Sequence, residues 1–176
     1  MELGSTGIRG CWLVELQPHV DDRGSFTELF RREWIPDARE MVQANLSHSR
    51  AGVLRGMHHH RRQADYWIVL EGTAVVGLYD LRSASASSGS SITLRLDASL
   101  GLRGLYVPPG VAHGFYAETD LRLNYLVDAP FDASDELGVA WDDPALGIDW
   151  PATEPVLSDR DLSNPSLAEA LRGLRA

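Results

Sequence analysis

The chain has 176 residues and a mass of 19.4 kDa, a common size for one domain, and its 44% hydrophobic and 23% charged residues exclude a disordered protein. Its 25 acidic and 16 basic side chains leave a formal net charge of −9, which would repel a phosphate backbone and argues against nucleic acid as a partner. The apolar runs are too short for a membrane span of about 20 residues. Cys11 is the single cysteine and follows no leader pattern, so we expect a cytoplasmic protein without an internal disulfide.

Short apolar or alternating runs, separated by Gly, Pro, Asp and Ser, fill residues 10–127. The predicted strands are, in chain order, 11–16, 25–30, 41–47, 66–71, 73–81, 92–96, 105–107, 114–118 and 121–127. Val, Leu, Ile, Tyr and Trp dominate them, as is typical of a pleated, half-buried surface. Many short strands at close spacing predict an all-β barrel or sandwich.

Helix is predicted only near the end of the chain. Asn164 and Pro165 offer a cap residue and a proline at the first helical position, and apolar residues follow at helical spacing in residues 166–176. Residues 129–163 are rich in proline and aspartate, so we expect irregular backbone wrapping over the barrel. Residues 83–91, SASASSGSS, are expected to form a loop between two strands.

Three adjacent histidines form the first motif that could perform chemistry. Alternate residues of a strand share a face, so His58 and His60 would point one way and His59 the other. Two histidines on one wall of a barrel suit a metal ion or a proton transfer. The ordinary alternative is that one ring faces inward and the others face solvent.

A second motif, VPPGVAHGF at residues 107–115, places a proline–glycine turn just before a histidine. Together the two segments resemble the paired motifs of the cupin superfamily, Gly-x5-His-x-His followed by an acid and a glycine, and Pro-x-Gly-x-x-His. The matching residues are Gly52, His58, His60, Asp65, Gly72, Pro108, Gly110 and His113, with Asp65 where Glu is usual. The resemblance implies an all-β double-stranded β-helix, the cupin or jelly-roll barrel, with a short C-terminal helix outside it.

A closer resemblance covers residues 10–167. Six ordered blocks are similar to the signatures of dTDP-4-dehydrorhamnose 3,5-epimerases, at residues 22–28, 43–47, 52–58, 112–115, 136–144 and 158–161. The resemblance implies an isomerase with one cupin-type, epimerase-like domain over residues 1–176, a nucleotide-linked deoxysugar as substrate and no cofactor. Members of this family pair through their sheets, so a homodimer is expected.

The resemblance also implies roles for particular positions. A 4-keto sugar has acidic protons beside its carbonyl, and epimerisation needs a base, a stabiliser of the enolate oxygen and an acid on the opposite face. The family's base is the histidine at His58, held by an aspartate at Asp161 that fixes the imidazole tautomer. The positions that match substrate-binding residues of the family are Arg23, Phe26, Glu28, Gln43, Asn45, Arg55, His113 and Phe131.

Three positions depart from the family's pattern. Asp65 stands where the family has a lysine suited to stabilise the enolate, and an ionised carboxylate cannot do so. Phe131 stands where the family has the tyrosine taken as the opposite-face acid, and its ring has no proton to give. His60 replaces a glutamine. These changes favour epimerisation at one carbon, C3 only, or a related enolisation.

The sequence is therefore compatible with three functions. The leading interpretation is epimerisation of a dTDP-4-keto-6-deoxyhexose, with His58 as base and Asp161 as its partner. The second is a metal-dependent cupin enzyme with one divalent ion such as Zn, Fe, Mn or Ni, which three imidazoles and a carboxylate suit. Its ligands would be His58, His60, Asp65 and His113. The third is a protein that binds a sugar nucleotide without catalysis.

Overall fold

The computed structural model describes residues 1–175, and this part of the chain is mostly β. The strands are β1 (Glu2–Ser5), β2 (Trp12–Glu15), β3 (His19–Asp21), β4 (Gly24–Phe26), β5 (Gln43–Ser49), β6 (Leu54–His59), β7 (Asp65–Glu71), β8 (Thr73–Asp80), β9 (Ser91–Asp97), β10 (Arg103–Val107), β11 (Val111–Ala117), β12 (Leu121–Val127) and β13 (Leu137–Gly138). Two α-helices follow, α1 (Asp159–Leu162) and α2 (Leu167–Arg175), and 3-10 turns lie at Arg32–Trp34, Ala98–Leu100 and Pro144–Leu146.

The strands form two antiparallel sheets and a separate hairpin. One sheet has the order β1-β2-β10-β7-β12-β5, the other has the order β13-β6-β11-β8-β9, and β3 pairs only with β4. Neighbouring strands in both sheets run antiparallel, as the pairing of β7 with β10 and β12 shows in one sheet and that of β11 with β6 and β8 shows in the other. The predicted all-β cupin barrel with a short C-terminal helix is confirmed.

The main core lies between the two sheets, and the alternation of strand β7 shows why. Trp67 and Val69 point into this core, whereas Tyr66 and Ile68 point outward and are covered by the segment that contains Ile35. Each face of β7 is therefore buried, which explains its continuous apolar run. No helix within residues 1–175 is long and apolar enough to cross a membrane.

Helix α2 packs outside the five-stranded sheet. Leu167 and Ala170 belong to one buried cluster with Tyr79 and Leu81 at the end of β8. The predicted cap at Asn164 is wrong, because Ser166 performs this role. Its hydroxyl donates to Glu169 Oε2 at 2.6 Å, and the same carboxylate oxygen accepts from the Ser166 backbone N–H at 3.0 Å, as in a capping box.

Two other local predictions are corrected. The strand predicted over 25–30 ends at Phe26, where the β3–β4 hairpin closes. The segment 129–163 is not wholly irregular, because it contains β13 and α1. Helix α1 was missed because it is a single turn, which hydrophobic periodicity cannot detect. It begins after Ser158, whose hydroxyl accepts from the Asp161 N–H at 3.2 Å.

Candidate active site

A cavity of about 300 Å³ opens between the two sheets. Both sheets contribute to its walls, β5, β7 and β12 on one side and β6 and β11 on the other, and loops complete its rim. Its lining residues are Ser47, Arg55, His58, His60, Gln63, Asp65, Trp67, His113, Phe115, Leu123, Tyr125, Phe131, Glu136 and Arg160.

Strands β6 and β11 bring two of the histidines together, since His58 and His113 are direct partners in the antiparallel pair. The two backbones approach closely beside them. A Cβ at Gly56, whose φ is +132°, would lie 2.6 Å from Gly114 Cα, so no side chain fits at this position. As predicted, His58 and His60 line the cavity, whereas His59 points away from it into a separate surface pocket.

His58 forms a short hydrogen bond with an aspartate that lies far away in the sequence. Its Nε2 lies 2.6 Å from Asp161 Oδ1. Asp161 is positioned by the first turn of α1, and its other oxygen accepts a hydrogen bond from the Ser158 hydroxyl at 2.9 Å. The His58 side chain keeps 23% of its surface exposed toward the cavity, whereas Asp161 keeps 5%. The two residues that the resemblance predicts to be the base and its orienting carboxylate are thus adjacent.

The environment keeps Asp161 ionised. Burial acts to raise the pKa of its carboxyl, but the hydrogen bonds with His58 and Ser158 and the nearby charge of Arg160 outweigh burial, so the pKa lies below its usual range. A carboxylate at this position requires His58 Nε2 to bear a proton, which leaves the lone pair on Nδ1. The pair is therefore arranged to accept a proton at Nδ1.

A second cluster lies deeper in the same cavity. His113 Nε2 lies 3.0 Å and His60 Nε2 lies 3.8 Å from the same oxygen, Oδ2, of Asp65. These three side chains are buried, and their potential donor atoms lie within 4.8 Å of one another. Of the four ligands in the alternative prediction, His60, Asp65 and His113 converge here, whereas the Nε2 of His58 is directed at Asp161.

The structure separates the predicted substrate-binding residues into two groups. Arg55, His113 and Phe131 line the cavity. The residues outside the lining are Arg23, Phe26, Glu28, Gln43 and Asn45. Arg23 forms an exposed ion pair with Asp21 in the β3–β4 hairpin, Glu28 pairs with Arg31, and the Gln43 amide donates to Asn45 Oδ1 at 2.8 Å.

Two of the three positions that differ from the family's pattern, Asp65 and Phe131, occupy different depths. Asp65 is the first residue of β7 and lies at the buried cluster, 4% exposed, where its Oδ1 accepts from Gln63 Nε2 at 2.9 Å. Phe131 lies on the rim with 72% of its surface exposed. Tyr125 supplies the cavity with a phenol, whereas Tyr116 follows the lining residue Phe115 on β11 and points to the opposite face.

Sequence reasoning missed several residues that line the cavity. Glu136 and Arg160 form an ion pair at 2.9 Å on its rim, and Trp67 packs edge-on against His113 with ring centroids 5.1 Å apart. Glu136 and Arg160 lie inside two of the family-like blocks, at 136–144 and 158–161, so the signal was present although neither residue was singled out. Trp67 lies in an apolar strand, so its sequence context predicts only an ordinary core residue.

Comparison with known proteins agrees with the geometry. The family described as dTDP-4-dehydrorhamnose 3,5-epimerase matches residues 5–169. A dTDP-4-dehydrorhamnose 3,5-epimerase of Streptomyces griseus is 38% identical over 174 residues, which cover 94% of this chain and 86% of the relative. A dTDP-4-dehydrorhamnose 3-epimerase of Streptomyces niveus is 36% identical, over 97% of this chain and 86% of the relative.

A solved structure shares the fold over almost the whole chain. The crystal structure of a 4-keto-6-deoxy sugar epimerase from the novobiocin biosynthetic gene cluster of Streptomyces spheroides has a TM-score of 0.90 at 36% identity, covering 98% of this chain and 90% of the other. The matched region includes β6, which bears His58, and the turn that bears Asp161. The chain therefore belongs to the dTDP-4-dehydrorhamnose 3,5-epimerase family.

Proposed function

We propose that this isomerase epimerises a dTDP-linked 4-keto-6-deoxyhexose at C3, beside the keto group. The observation that supports the proposal most directly is the 2.6 Å contact between His58 Nε2 and Asp161 Oδ1 at the wall of the cavity. The names of the relatives support the substrate class, since they describe 3,5- and 3-epimerases of dTDP-4-dehydrorhamnose and an epimerase of 4-keto-6-deoxy sugars.

His58 Nδ1 is the proposed base. It takes the C3 proton, the electron pair of the C–H bond forms the C3–C4 double bond, and the keto oxygen gains the negative charge. Asp161 stabilises the imidazolium that results, because its ionised carboxylate is buried against Nε2. Return of a proton to the opposite face of C3 inverts that carbon.

Tyr125 is the proposed donor of that proton. It lies on β12 in the six-stranded sheet, whereas His58 lies on β6 in the other sheet, so the two side chains approach the cavity from opposite walls. Burial, with the charges of Asp65 and Glu136, raises the pKa of Tyr125, which keeps its hydroxyl protonated. Phe131 has no hydroxyl, so C5 lacks the donor that inversion there needs.

Proton exchange in D₂O tests the proposal. The sugar dTDP-4-keto-6-deoxyglucose is incubated with wild-type protein and with His58→Asn, and deuterium at C3 and C5 is followed by NMR. Deuterium at C3 with inversion, absent in His58→Asn, supports the proposal. Deuterium and inversion at both carbons would contradict the restriction to C3, and binding without exchange would favour the non-catalytic alternative.

We also propose a homodimer in the cytoplasm. The β3–β4 hairpin pairs with no other strand among residues 1–175, and it exposes Val20 and Phe26, 76% and 66% of their surfaces. A second copy that covers this hairpin would bury apolar surface and bring Arg23 and Phe26 toward a cavity they do not reach in their own chain. Sedimentation of a 19.4 kDa monomer at micromolar concentration would contradict the dimer.

The proposed cytoplasmic location is supported by the cysteine content of the chain. The single cysteine, Cys11, is buried and free, which is compatible with a reducing compartment.

A further inference from the structure

The buried cluster of His60, Asp65 and His113 has the composition and convergence of a metal site. Two imidazoles and one carboxylate present their donor atoms within 4.8 Å of one another, and each side chain is at least nine-tenths buried. Metal–ligand bonds of about 2.1 Å at angles of 90–110° place neighbouring donors roughly 3.0–3.4 Å apart. The 3.0 Å between His113 Nε2 and Asp65 Oδ2 has that spacing, and the 3.8 Å to His60 Nε2 exceeds it only slightly.

The hydrogen bonds around the cluster orient all three side chains inward. His60 Nδ1 lies 3.0 Å from the Asp135 carbonyl oxygen, and His113 Nδ1 lies 2.9 Å from that of Val111. A carbonyl oxygen only accepts, so each Nδ1 bears a proton, and in the neutral imidazole each Nε2 then has its lone pair on the side of Asp65. Metal-binding histidines are typically held in this way by a second hydrogen bond to a carbonyl or carboxylate.

Asp65 is held in the same manner. Its Oδ1 accepts from Gln63 Nε2 at 2.9 Å, which directs Oδ2 between the two imidazoles. When both imidazoles are neutral, two Nε2 lone pairs and a carboxylate oxygen face one another in a buried space, and a metal cation between them would remove this repulsion. We propose that His60, Asp65 and His113 bind one divalent transition-metal ion at the base of the cavity.

The donor set indicates which ions fit. Two imidazoles and one carboxylate suit Zn²⁺, Fe²⁺, Mn²⁺ or Ni²⁺, and three protein ligands leave coordination positions open. His58 lies outside this group of converging donor atoms, and its Nε2 is bonded to Asp161. The base and the proposed metal site are therefore separate groups in one cavity.

The proposed role of the ion rests on the proposed function. The chain contains no lysine, and Asp65 stands where the family has one. A divalent ion bound through Asp65 would restore positive charge at this wall, where it could polarise the keto oxygen while His58 removes the neighbouring proton. At this position the family's positive charge comes from a lysine side chain, and in this chain it would come from a metal ion bound by Asp65.

Metal binding is tested on tag-free protein, without substrate. The protein is loaded in turn with Zn²⁺, Co²⁺ and anaerobic Fe²⁺, dialysed, and analysed by elemental analysis and by the Co²⁺ absorption spectrum. We expect about one ion per chain in wild type and more than tenfold weaker binding in His60→Gln, Asp65→Asn and His113→Gln. His48→Gln, which removes an exposed imidazole outside the cavity, and His58→Asn are expected to retain the ion.

The ligand variants could lose metal because they fail to fold, so Gln63→Ala is tested as well. Gln63 lies at the edge of the cluster and only orients Asp65. Loss of such an orienting partner typically weakens metal binding about 10- to 100-fold. Absence of bound metal in folded wild type for all three ions, or undiminished binding in the three ligand variants, would overturn the site. A bound ion without C3 exchange would support the site and refute the proposed function. Full exchange in metal-free protein would refute the role of the ion.

Discussion

Replacement of Asp161 by asparagine perturbs the proposed base without changing the shape of the site. The amide is isosteric with the carboxyl, and the Ser158 hydroxyl can still hydrogen-bond to it. It cannot stabilise a charged imidazolium across the 2.6 Å contact. A hydrogen bond to a charged group contributes about 1.5–3 kcal/mol, which corresponds to about 10- to 200-fold in rate. An amide NH₂ turned toward Nε2 would also select the wrong tautomer, an error that costs about 10⁴-fold in the Ser-His-Asp triads.

We therefore expect the rate of C3 exchange in Asp161→Asn to fall by a factor between about 10 and 10⁴, with the melting temperature little changed. The assay is the initial rate of deuterium incorporation from D₂O. Asp159→Asn is the matched control, because it makes the same charge change in the same turn of α1 at an exposed side chain. A wild-type rate in Asp161→Asn that a metal chelator abolishes would refute the reasoning and favour a base held by metal chemistry.

Further predictions concern the proton donors and the stability of the fold. Tyr125→Phe should lower inversion at C3 by about 10²- to 10⁴-fold while deuterium washes into C3 without inversion, and equal loss of both would contradict a donor role. Phe131→Tyr should raise exchange at C5, and an unchanged C5 signal would mean that the Asp65 position limits this carbon. Burial acts to raise the pKa of Asp80, but hydrogen bonds from Arg82 and two serines hold it at about 2, below the 3.8 of the free group. The carboxylate therefore stabilises the fold above about pH 4 and loses this effect as the pH falls toward 2, so Asp80→Asn should cost about 2 kcal/mol in urea unfolding at neutral pH and little near pH 2. Ser166→Ala should cost about 1 kcal/mol in the same assay through loss of the helix cap, and a cost at or below zero would contradict the capping assignment.

Strands β2, β5 and β7 to β12 could be predicted from the sequence, because each has enough alternating or continuous apolar residues to bury a face. The predicted list did not contain β1, β3, β6 and β13, of which β3 is exposed throughout and β13 has only two residues. The pairing of His58 with Asp161 could not be derived from spacing, since 103 residues separate them and a single turn of helix positions the aspartate. It was available only through the family resemblance. Short elements such as α1 depend on local caps, which hydrophobic patterns do not report.

The ligand set shows a different limit of sequence reasoning. The His-x-His spacing places His58 and His60 on one face, and the structure confirms that they share the cavity. Their hydrogen-bond partners then separate them, since His60 is fixed by the Asp135 carbonyl near Asp65 and His58 is fixed by Asp161. Both partners come from the C-terminal third of the chain, so no local pattern could assign the two rings to different tasks.

The central claim is that His58 removes one proton beside the keto group and that only one carbon of the sugar, C3, is epimerised. Mass spectrometry of dTDP-4-keto-6-deoxyglucose after incubation with the protein in D₂O counts the exchanged protons directly. The account predicts a gain of one deuterium per sugar with wild type and none with His58→Asn. A gain of two deuterium atoms, or an equal gain in both proteins, would contradict it.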